Sequence, residues 1–160
     1  MEQIVQLNSK AKLSEHFTLG EMTASSHKEV YNIPSHEAIA NLTNLCKWLE
    51  VLRERAGTPI RINSGYRSPQ LNKRIGGVPT SNHLTGCAAD IRVENMEQLI
   101  RYAAILLDYA DESKQEFDEL LIERRSASPL GSSKNRYGAI WLHFAVRPRD
   151  NRHKVAFINA

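Results

Sequence analysis

Ser81-Asn82-His83-Leu84-Thr85-Gly86-Cys87-Ala88-Ala89-Asp90-Ile91-Arg92-Val93 is the stretch on which the fold turns. From Ala88 onward, alternation places Ala89, Ile91 and Val93 on one face of a strand and Ala88, Asp90 and Arg92 on the other. An aspartate among apolar strand residues is uncommon unless it is paired or bound to a metal. His83 precedes it by seven positions, with small or apolar residues and one threonine between them. Two readings stand: a tight structural turn closed by a satisfied pair, or two of the three protein ligands of a metal site. Gly86, Ala88 and Ala89 permit the close backbone approach that the second reading needs.

Upstream, Pro34 precedes a helix that Ser35 caps, with Glu37 in its first turn. Ile39, Leu42, Leu45, Cys46, Leu49 and Leu52 recur at helical spacing until Gly57 stops it. Pro59 to Ile62 predicts a short strand before an Asn63-Ser64-Gly65 turn. Pro69 to Ile75 predicts one or two helical turns, and Gly76-Gly77-Val78-Pro79 a break. Residues through Asn32 are polar and irregular, attached to the core by Leu13, Phe17, Leu19 and Met22. Downstream, Asn95 caps a second helix to about Tyr109, with Leu99, Ile100, Ala103, Leu106 and Leu107 as its apolar face. Phe117 to Glu123 and Ala139 to Val146 predict strands joined through 126–138 as a long hairpin. Helices and strands mix without regular βαβ alternation, which predicts an α+β fold with a mainly antiparallel sheet flanked by helices.

The 160 residues suffice for one domain spanning 1–160, and 41% hydrophobic against 24% charged composition is that of a soluble globular chain. A net charge of +3 is spread thinly, and the densest basic group, 147–154, contains Asp150, which argues against a nucleic-acid interface. Two cysteines are too few for a disulfide framework: Cys46 reads as core packing and Cys87 as the filling of a small space. No run approaches the ~20 apolar residues of a membrane span. No signal-peptide pattern stands at the N-terminus. Work outside the cytoplasm would then follow removal of a leader or release by a lysis system of phage or prophage type. The expected state is a monomer.

A third ligand should come from a neighbouring strand. His143 fits, because Trp141-Leu142-His143-Phe144 forms a strong strand pattern in which a lone inward polar residue needs a partner. Trp141 shares its face and either lines a cleft or packs in the core. His16, His27, His36 and His153 lie in polar surroundings and read as solvated. Glu119, Leu121 and Glu123 share a face of the preceding strand.

His83-Leu-Thr-Gly86-Cys-Ala88-Ala-Asp90 has the form H-x-x-G-x-A-x-D and resembles the zinc-ligand signature of the M15 peptidases, the D-alanyl-D-alanine carboxypeptidase and dipeptidase family that includes phage endolysins. Ile62-Asn-Ser64-Gly65-Tyr66-Arg67-Ser68-Pro69, Leu71-Asn72, Ile75-Gly76-Gly77 and Ser81-Asn-His83 follow the order and near spacing of its type 3 branch. Phe17-Thr-Leu-Gly-Glu21, Asn32-Ile-Pro34 and Val51-Leu-Arg53 resemble it too, so the likeness covers a core of about 14–146. The resemblance implies a Hedgehog/DD-peptidase-like fold, Zn²⁺ held by His83, Asp90 and His143, and hydrolysis of peptidoglycan stem peptides by a carboxypeptidase or endopeptidase. It further implies that Arg67 and Ser81 serve the substrate. A guanidinium fork suits a carboxylate or an oxyanion, although the residues alone read equally as a loop clamp and a turn.

One position departs from the pattern. Many relatives carry a carboxylate three residues before the last histidine ligand, where this chain has Ile140. The type 3 branch carries a sequence like F-D-x-L-I-x-E, and Phe117-Asp-Glu-Leu120-Leu-Ile-Glu123 is similar. Glu123 is thus the expected general base, with Glu119 in reserve and a solvated strand charge as the alternative for both. Ile140 keeps a second reading open, a wall-binding module of the same fold with weak or no hydrolysis. The sequence leaves open whether the bond lies between two D-alanines, between L-Ala and D-Glu, or in a crossbridge.

Overall fold

The computed structural model describes residues 8–125, 134–135 and 138–159. α1 (Leu19–Thr23) opens on a reciprocal cap: the Thr18 hydroxyl accepts from the Glu21 N–H, and the Glu21 carboxylate accepts from the Thr18 N–H. α2 (His36–Ala56) starts and stops where the sequence predicts. Ser35 accepts from the Ala38 N–H, and Gly57, at φ 69°, donates back to the Arg53 carbonyl. Leu42, Leu45, Leu49 and Leu52 are completely buried, each worth roughly 1.5–3 kcal/mol relative to exposure. Trp48 meets Tyr109 edge-on at 5.0 Å and Phe144 at 5.3 Å, tying α2 to α4 (Met96–Ser113) and to the sheet. Between α2 and α4 lie β1 (Ile62–Ser64), α3 (Pro69–Arg74) and β2 (Ala88–Arg92), with β3 (Glu119–Arg124), β4 (Ile140–Ala145) and β5 (Lys154–Asn159) following.

The five strands are ordered β1-β2-β4-β3-β5. All neighbours are antiparallel except β3 and β5, which run parallel. Period-2 alternation divides the sheet. Ala89, Ile91, Leu120, Leu142 and Phe144 join the core shared with α2 and α4. Asp90, Glu119, Glu123, Trp141 and His143 line a cleft on the other face. Asp90 pairs with His143 in the β2–β4 register, and Leu121 pairs with His143 in the β3–β4 register. The fold is therefore α+β, with a mainly antiparallel sheet. Among the described residues no helix is long and apolar enough to cross a membrane.

Four expectations need correction. The strand predicted at Pro59 to Ile62 forms at Ile62–Ser64 instead, because pairing with Ile91 and Asp90 draws Ile62 and Ser64 into the ladder across an irregularity. α4 continues past Tyr109 to Ser113, since no glycine stops it, and ends at Lys114 with φ 58°. Ile100 is 55% exposed rather than part of the apolar face, where Tyr102 is buried in its place. β5 was not expected, and it carries the sheet beyond 146. The predicted connection 126–138 lies largely outside the described residues. Cys46 and Cys87 are buried and free, and burial pushes the Cys46 thiol up to about 12.

Candidate metal and catalytic site

His83 sits in a 3-10 turn, Asn82–Thr85, that Ser81 caps by accepting from the His83 N–H. The turn closes on Gly86 at φ 76°, where a Cβ would strike the Ala38 carbonyl of α2. The chain can then enter β2 directly and bring Asp90 back to His83. The Gly65 carbonyl, 2.7 Å from His83 Nδ1, can only accept, so Nδ1 carries a proton; Nε2 faces Asp90 Oδ1 at 3.2 Å, donating to it when the ring is an imidazolium and offering its lone pair to an ion when the ring is neutral. His143 is turned the opposite way. Its Nε2 lies 3.0 Å from Glu119 Oε1, and its Nδ1 lies 3.0 Å from the same Asp90 Oδ1.

Three electron-pair donors thus converge, each imidazole being fixed from behind by an oxygen acceptor, the arrangement in which histidine holds a metal. Among the described residues, His83, Asp90 and His143 are the group whose ligand atoms all lie within 4.8 Å of one another, and all three are buried. Tetrahedral zinc with bonds near 2.0–2.1 Å sets its ligands roughly 3.3 Å apart. The two Asp90 contacts of 3.2 and 3.0 Å fit that spacing. Electrostatics agree. Burial alone would raise Asp90, but the charge of His83 and the bonds from both imidazoles hold it well below the usual carboxylate range. Burial opposes a charge on His143, yet its bonds to Asp90 and Glu119 lift it to about 10. The centre calls for a positive charge, which a proton or a divalent ion supplies.

The Peptidase M15 family model matches residues 15–119. This chain belongs to the M15 peptidase family. Among solved structures, that of Serratia marcescens L-Ala D-Glu endopeptidase ChiX is similar at 18% identity and a TM-score of 0.42, over 76% of this chain and 96% of its own. No curated protein matches. The family match includes His83 and Asp90 but ends before Glu123 and His143, so geometry alone brings those two into the site of this M15 peptidase.

Around the three donors the remaining expected residues take distinct places in a cleft of about 710 Å³. Glu123 Oε1 lies 3.8 Å from His143 Nδ1, on the side facing Asp90, whereas Glu119 holds Nε2. Trp141 donates from Nε1 to Glu123 Oε2 at 2.7 Å and also lines the cleft. Burial outweighs the nearby histidine charge at Glu123 and raises its pKa; at Glu119 burial acts the same way, but the His143 bond prevails and lowers it. Arg67 donates from Nη2 to Asp90 Oδ2 at 3.1 Å and from Nε to Ser64 Oγ at 2.9 Å. Ile140 is buried on the core face, opposite to His143, so a carboxylate at that position of this regular strand would point away from the cleft.

Sequence reasoning overlooked a further layer. Asp118, completely buried, accepts from Asn82 and from Arg152, and pairs with Arg147. Asn82 Nδ2 also donates to Glu119 Oε1 at 2.6 Å. The signal was present in Phe117-Asp118, a charge beside an aromatic strand residue, and in the basic group 147–154.

Proposed function

We propose that the chain is a zinc-dependent peptidase that hydrolyses peptide bonds in the stem peptides of bacterial peptidoglycan. The observation that carries this reading is the placement of Glu123, a carboxylate beside the three converging donors and on their open side. Membership of the M15 family supports the substrate class. His83 Nε2, Asp90 Oδ1 and His143 Nδ1 would hold the ion. A bound zinc ion supplies Lewis-acid chemistry, activating water and polarising the scissile carbonyl. Glu123, oriented by Trp141, accepts the proton of the attacking water and returns it to the leaving amine. Arg67 keeps Asp90 Oδ2 engaged, which leaves Oδ1 for the ion, and its guanidinium borders the cleft where an oxyanion develops. Ser81 and Trp141 line the same cleft and contact substrate. Acting on this substrate places the protein at the cell wall.

The test measures zinc content and amine release from D-Ala-terminated peptides and muropeptides, with products read by mass spectrometry. Wild type should hold one zinc and cleave. Glu123→Ala should keep the zinc and lose about 10²–10⁴-fold in rate. A zinc-loaded wild type that releases no amine from any wall peptide would overturn the reading in favour of a binding module.

A further inference from the structure

One wall of the cleft carries Arg147, Arg152 and Lys154, and nothing in the proposed hydrolysis uses them. They stand on the β4–β5 connection and the first residue of β5. Asp118 anchors the connection from beneath. Its Oδ1 accepts from the Arg152 backbone N–H at 2.9 Å and from Arg152 Nε at 3.0 Å, and its Oδ2 accepts from Arg152 Nη2 at 2.8 Å. Arg147 Nε donates to Asn82 Oδ1 at 2.9 Å and stands in ion-pair contact with Asp118 Oδ2 at 3.2 Å. The same connection is held by Asn151, whose side chain bonds the Arg147 backbone in both directions. Asp150 and His153 lie at φ 58° and 52°, uncommon conformations for residues other than glycine. Both arginines keep exposed surface, 32% and 49% of their side chains. Lys154 forms no ion pair among the described residues. Glu119, the other carboxylate on this wall, is engaged by His143 and Asn82. The wall thus has more cations than its own carboxylates neutralise, and its two arginines stand against a buried acid. Arg152 Nη2 lies 3.4 Å from Glu119 Oε2, and Glu119 touches His143, which sets the wall next to the metal centre.

We infer that Arg147, Arg152 and Lys154 form a subsite for a carboxylate on the peptide substrate, one or two residues from the bond that is cut. This rests on the peptidase reading for its location and on the cation geometry for its chemistry. A guanidinium pair held in one orientation recognises a planar carboxylate, whereas a neutral amide of the same shape forfeits the charge-assisted bonds. Asp118 holds the Arg152 guanidinium by Nε and Asn82 Oδ1 holds that of Arg147 by Nε, which fixes the direction of their terminal nitrogens before ligand arrives.

The test is calorimetric binding to the zinc-loaded protein of Glu123→Gln, so that affinity is read without turnover. The ligands are three versions of one stem tetrapeptide: all carboxylates free, the internal carboxylates amidated, and the C-terminal carboxylate amidated. The expected result is a preference of about tenfold or more for the free acid over one of the two amides, and the amide that binds weakly identifies which carboxylate is held. Arg147→Gln and Lys154→Gln should each shrink that ratio several-fold, Lys154→Gln being the variant that disturbs no Asp118 contact. Equal affinity for all three ligands overturns the inference. So does a fall of all affinities together in both variants, with the ratio kept, because a merely structural role predicts that pattern. The readout is independent of cleavage: this preference in Glu123→Gln, together with a zinc-loaded wild type that hydrolyses no wall peptide, would sink the peptidase reading and leave the subsite standing.

Discussion

Glu119 and Glu123 lie on the same face of β3 and approach the same imidazole, yet from opposite nitrogens. The one behind His143 orients the ring, and the one in front, on the Nδ1 side with Asp90, is the base of the proposed hydrolysis. Their loss should therefore be felt differently. Glu119→Gln is expected to weaken zinc about 10–100-fold, as removal of an outer partner of a ligand does, while Glu123→Gln should leave zinc affinity within a few-fold; competition with a chromophoric chelator measures both. Equal weakening by the two variants would contradict the assignment. The sequence could say that both glutamates share a face with each other, and that His83 and Asp90 belong together, because these are matters of alternation and of a short loop. It could not say which nitrogen of His143 each acid meets, since that depends on a ring orientation fixed by the whole site.

Elements whose ends are chemically marked were readable from the chain. α2 begins at Ser35 and ends at Gly57 because both caps are local. β1 and β5 were misplaced or missed for the opposite reason: three residues of β1 are strand because β2 pairs with them, and β5 is strand because β3 does. Val155 and Phe157, each 52% exposed, provide little of the burial pattern that announces a strand. The 3-10 turn makes the element-level case for function. Gly86→Ala combines a left-handed backbone with a clash against α2, so a loss of at least about 1–2 kcal/mol is expected from the conformation alone. Urea unfolding measures it, and zinc affinity should fall in parallel because the same turn carries His83. Unchanged stability would mean that the turn is not held as described.

At the scale of the molecule, Asp118 joins β3, the 3-10 turn and the β4–β5 connection through one buried carboxylate. Burial would raise its pKa, but bonds from Arg152 and Asn82 prevail and bring it to about 2, from an ordinary 3.8. A depressed folded value stabilises the protein fully above the unfolded value, and that contribution disappears as pH falls from about 4 to 2. Up to about 2 kcal/mol should be lost over that window. Thermal unfolding across it should show a steeper decline in wild type than in Asp118→Asn, and parallel profiles would count against the anchor. The sheet imposes a further condition. A slip of one residue between β2 and β4 would send His143 into the hydrophobic layer and set Leu142 or Phe144 facing Asp90. Misregistered chains would therefore lack the trio of donors altogether, and metal uptake during folding would act as a proofreader, stabilising only those molecules whose strands have found their correct partners.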